Sequence, residues 1–158
     1  MHNGLPVTGV VPVADMVGEN EEETRYLREM AERAQHFLMS FSWCKSIRSF
    51  YFGDGIGGII GIFFAHIEAA RSDVDEWLWV IVGDVPPAYL VTDVCCTPKQ
   101  AAEGYIREMR RWVGAAKERR TAEDIIPVNV PATPEWAEKL EKRLDCLQFD
   151  LLPKWFPQ

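Results

Sequence analysis

Residues 75–93 read DEWLWVIVGDVPPAYLVTD, and this stretch decides the fold. Trp77 to Val82 is an unbroken run of aromatic and β-branched side chains, with the length of a strand buried on both faces. Gly83-Asp84-Val85-Pro86-Pro87 ends it, because proline lacks the amide hydrogen a ladder needs and fixes φ. Ala88 to Val91 then resumes an extended pattern. The stretch predicts two neighbouring central strands joined by a rigid turn.

Toward the N-terminus, Ala69 to Val74 predicts a polar turn, and Ile59 to Ile67 a strand whose one polar residue, His66, reads as a hydrogen-bonded structural histidine. Before it, Gly53-Asp54-Gly55-Ile56-Gly57-Gly58 matches G-x-G-x-x-G. That fingerprint requires a helix next, to set its N-terminus on phosphate. The strand-like Ile59-Ile60-Gly61-Ile62-Phe63-Phe64 follows instead, so the glycines predict a hairpin or bulge rather than a nucleotide site. Lys45 to Phe52 is the strand leading into them. A helix is expected over Glu21–Met39. Asn20 can cap it, Glu23 stands where a capping-box glutamate would, and Leu27, Met30, Ala31, Ala34, Phe37, Leu38 and Phe41 form one apolar stripe. His36 lies beside that stripe and reads as a surface or half-buried residue. Residues 1–18 have no periodicity and are expected as a flexible arm, in which Val10, Val11 and Val13 could add to a sheet edge.

Toward the C-terminus, Thr97-Pro98-Lys99-Gln100 supplies an N-cap, an N1 proline and an N3 glutamine. The helix it opens buries Ala102, Tyr105, Ile106, Met109, Trp112, Val113 and Ala116, and Lys117, Arg119 and Arg120 suit its negative end. Residues 121–124 predict a turn, and Ile125 to Pro131 an extended strap whose prolines bar it from a central strand. Thr133-Pro134-Glu135 repeats the helix start. The last helix is expected to reach about Phe149, with Trp136, Ala137, Leu140, Leu144, Leu147 and Leu151 inward. Trp155 and Phe156 close the chain as an apolar pair that packs back or meets another chain.

A chain of 158 residues, 47% hydrophobic, can bury a full core as one domain. Its formal charge of −7 argues against nucleic-acid or anionic-membrane partners and suits solubility or a basic partner. Cys44, Cys95, Cys96 and Cys146 contain no C-x-x-C and no His/Cys cluster, so no metal site is expected. Reduced thiols in a cytoplasm are the simpler reading. No signal peptide is recognisable, and the longest apolar run, Ile56 to Ile67, falls short of the roughly 20 residues a membrane helix needs. No cofactor is implied.

Between Glu68 and Asp93 Arg71 is the one base among the acids. Asp73, Asp75, Glu76 and Asp84 fall at strand ends or turns, where aspartate belongs by turn chemistry. They also predict a negative sheet rim able to dock a basic partner. No P-loop, H-E-x-x-H, catalytic triad or paired-carboxylate motif is present. The one candidate for chemistry is Cys95-Cys96, between a strand and a helix N-terminus, where thiolate is favoured.

The order helix, four-strand meander, proline pair, cysteine, helices resembles the ubiquitin-conjugating fold, and Pro86-Pro87 before Tyr89 to Thr92 is similar to that family's proline step. The resemblance implies that Cys95 or Cys96 accepts the modifier. Thr92-Asp93-Val94 stands where the family carries His-Pro-Asn. The segments Trp77 to Asp93 and Asp124 to Asn129 resemble those of small uncharacterised bacterial proteins, which imply no activity.

The expected fold is α+β: a single four-stranded antiparallel meander in residues 19–158, with an N-terminal and two C-terminal helices packed on it. The preferred function is a non-catalytic, acidic, cytosolic protein-binding protein, such as an immunity or defence accessory protein, with Asp73, Asp75, Glu76, Asp84, Trp155 and Phe156 facing the partner. The alternative is a cysteine-dependent conjugating enzyme, and a third reading is a self-associating structural domain.

Overall fold

The computed structural model describes residues 4–92, 95–118, 128 and 130–156. It divides into two compact units, Met1–Ala101 and Ala102–Gln158. The class is α+β, and the described residues form a five-stranded antiparallel sheet and three helices longer than one turn.

The first unit holds β1 (Val11–Pro12), α1 (Glu21–Met39), β2 (Cys44–Ile56), β3 (Ile60–Ala69), β4 (Trp77–Gly83) and β5 (Ala88–Val91), with the strands side by side in chain order. β4 sits where its composition demands. Leu78 to Val82 are all buried, with Phe64 opposite Trp79 on one side and Leu90 on the other. Leu78, Val80 and Val82 join Phe63, Ala65 and Ile67 of β3 in one core with Leu27, Met30, Ala31, Ala34 and Leu38 of α1. Trp79 and Ile81 alternate to the opposite face and are equally inaccessible.

The sheet has five strands where four were expected. Val11 pairs with Phe52 and Pro12 with Tyr51, which places β1 on the outer edge of β2. Proline is tolerated there because an edge strand need not donate on both sides. The segment expected as a loose arm also buries Val7 and Met16 and forms a single 3-10 turn at Val13–Asp15.

β2 also runs further than expected, through Gly53 and Gly55 to Ile56, with a register shift between Phe52 and Asp54. The glycines serve close approach as well as turning. A Cβ on Gly53 would lie 3.0 Å from Pro98 Cγ, and one on Gly55 3.0 Å from Leu27 Cδ2. The turn proper is the short step after Ile56, where Ile59 N donates to Ile56 O.

α1 begins and ends as its sequence predicts. Asn20 Oδ1 accepts from Glu23 N at 2.8 Å. Glu23 does not close a capping box; its Oε1 accepts from Gly57 N at 2.8 Å and so ties the helix start to the β2–β3 turn. At the same end of the sheet, where Ile60 pairs with Gly83, Arg33 Nη2 donates to Gly83 O at 3.0 Å.

In α2 (Pro98–Lys117) the first turn belongs to the first unit and the remainder to the second. Thr97 Oγ1 accepts from Gln100 N at 3.2 Å, as a cap should. The second unit adds α3 (Pro134–Asp145), a π-helical stretch over Cys146–Leu151, and α4 (Leu152–Trp155). Tyr105, Met109, Trp112, Leu140, Leu144 and Leu147 are buried in it. Arg110 binds Asp145 at 2.9 Å and Gln148 at 2.7 Å, and Lys117 binds Glu141 at 2.6 Å.

Trp136 departs from the expected inward face of the last helix. It is 39% exposed, with Lys139 Nζ 4.7 Å from its ring centroid. It lies in the first helical turn, where the apolar stripe has only begun. Of the expected strap, only Val128, Val130 and Pro131 fall within the described residues. Arg119, Arg120 and the turn at 121–124 lie outside them.

Candidate functional site

The β3–β4 connection carries three of the four acidic residues singled out in the sequence. Asp73, Asp75 and Glu76 are exposed there. Asp73 is 3.3 Å from Arg71 Nε, and Glu76 is 3.8 Å from His66 Nε2. The His66 ring in turn stacks on Trp77, 3.9 Å between centroids and 5° between planes. His66 is thus stacked on an aromatic neighbour and near a carboxylate, and the hydrogen bond expected of its side chain is not found among the described residues. Asp75 makes no ion pair or hydrogen bond among the described residues.

Asp84 stands apart from these three. Successive turns of a meander alternate between the ends of the sheet, so the β4–β5 turn lies at the far end of β4. Seven strand residues separate the two turns, roughly 20 Å. The expected single rim therefore reduces to one acidic turn of three residues, with Asp84 exposed at the other end.

The adjacent cysteines differ sharply. Cys95 is buried, its Sγ donating to Gln100 O at 3.5 Å and its carbonyl accepting from Trp79 Nε1 at 2.7 Å. Cys96 is exposed; its backbone N donates to Gln100 Oε1 at 2.7 Å and its carbonyl accepts from Thr8 N at 3.0 Å. Gln100 thus caps one residue further back than a capping box would, at Cys96 rather than Thr97. Of the two, only Cys96 could meet a reagent from solvent. Elsewhere, burial pushes the thiol of Cys44 and the hydroxyl of Tyr105 upward, so both stay protonated. Of the Thr92-Asp93-Val94 triplet, Asp93 and Val94 lie outside the described residues.

Trp155 and Phe156 are half-buried and stack on each other, with centroids 4.8 Å apart. Among the described residues no cluster of three or more His, Cys, Asp or Glu could hold a metal ion. No described helix is long and apolar enough to cross a membrane.

One feature of the first unit was not foreseen from the sequence. A groove of about 620 Å³ runs between α1 and the sheet, lined by Glu29, Glu32, Arg33, His36 and Phe37 of the helix with Val82 and Pro87 below. The helical residues follow i, i+3, i+4, i+7, i+8, so one flank of α1 forms the wall. Phe37 continues into an aromatic cluster with Phe41, Trp43 and Tyr89, its neighbours 4.8 to 6.4 Å apart centroid to centroid. The only signal in the sequence was that helix spacing, which otherwise describes an ordinary solvated face.

Comparison with known proteins finds no matching family model, no matching curated protein and no matching solved structure.

Proposed function

We propose that this chain is a non-catalytic binding protein that holds a basic partner protein, as an immunity or defence accessory protein would. The observation that carries the reading is the β3–β4 turn, where Asp73, Asp75 and Glu76 are all exposed, with Arg71 beside Asp73, on a chain of net charge −7. Three carboxylates on one turn form a local negative field, which speeds capture of a positive surface more than it tightens the final complex. Trp155 and Phe156 offer a half-exposed aromatic pair of the sort that anchors interfaces.

The test is affinity capture from the native host, followed by association kinetics with the captured protein. The triple variant D73N/D75N/E76Q should associate several-fold more slowly at low salt, and the parent rate should fall toward it as salt is added. Equal rates at low salt would remove the acidic turn from the interface.

A second reading, a cysteine-dependent conjugating-like enzyme, is favoured by one observation: Cys96 is exposed immediately before the N-cap of α2. It names Cys96 rather than the buried Cys95 as acceptor. Intact-mass spectrometry with an activating enzyme and modifier protein should then show a thiol-reversible adduct that C96A abolishes and C95A retains.

A further inference from the structure

We draw no further inference here: the strongest candidate, the surface patch of half-buried aromatic side chains Phe37, Phe41, Trp43 and Tyr89 beside the edge strand β5, carries nothing because nothing in the structure shows what covers it.

Discussion

The two turns that flank β4 are built from opposite materials. The β3–β4 turn is closed by Val74 N donating to Arg71 O at 3.3 Å and anchored by Ala70 N to Trp43 O and Ile67 N to Glu76 O, both 2.8 Å, and its side chains add only the exposed Asp73–Arg71 pair and the looser Glu76–His66 contact. The β4–β5 turn is locked from three sides. Gly83 sits at φ +146, Asp84 N donates to Ile59 O at 2.9 Å, and Arg33 binds the Gly83 carbonyl from α1. Pro86 and Pro87 then fix the chain as it enters β5. The difference teaches where charge does structural duty and where it does not. A turn locked by a glycine conformation, two prolines and an arginine from the helix serves stability, and a turn whose carboxylates have only exposed or loose partners should tolerate their replacement.

The sharpest way to break this contrast is at Gly83. At φ +146 a side chain is strained, and a Cβ there would collide with the Ile59 carbonyl. Gly83→Ala should cost at least about 3 kcal/mol, combining backbone strain with a clash against main chain that cannot swing away. Urea unfolding checks it, and an unchanged midpoint would mean the turn is no lock. Arg33→Ala should cost about 1 kcal/mol, since the Gly83 carbonyl loses a charged donor while water can partly replace it. By contrast, D73N/D75N/E76Q should move stability by no more than about 0.5 kcal/mol, because exposed pairs are screened. A loss of 2 kcal/mol or so in that variant would show the first turn to be as structural as the second.

What was legible in the sequence follows the same division. α1, β4 and β5 could be bounded because periodicity and punctuation agreed at both ends: Asn20 at one, Gly83 and the prolines at another. Trp79, Ile81, Met109 and Leu140 could be named as core from pattern alone, and all four are buried. β1 could not be assigned, because Val11-Pro12 is too short to show a period and its pairing is chosen by the open edge of β2. The glycines of β2 suggested only a turn, since sequence cannot say that Pro98 and Leu27 will press against them. The groove was hidden for a related reason. Its lining comes from two segments about fifty residues apart, and Glu29, Glu32 and Arg33 look like solvated helix surface until α1 is laid across the sheet.

Asp84 gives the finest test of the comparison. Read as sequence, it belongs with Asp73, Asp75 and Glu76, because all four fall at strand ends within one short stretch. Strand count separates them, since one crossing of the sheet lies between the two turns. Roughly 20 Å along β4 is about two Debye lengths at 0.1 M salt, so Asp84 adds little to the field over the β3–β4 turn. Asp84→Asn should therefore leave the association rate with a basic partner within about twofold of the parent at 0.1 M salt, where D73N/D75N/E76Q slows it several-fold. Lowering the salt to about 0.01 M lengthens screening to about 30 Å and should bring a modest Asp84 effect into view. Surface-plasmon kinetics at both salt concentrations makes the measurement. If Asp84→Asn matched the triple variant at 0.1 M, the partner would contact both ends of β4, and the division between a structural turn and a charged turn would fail at that residue.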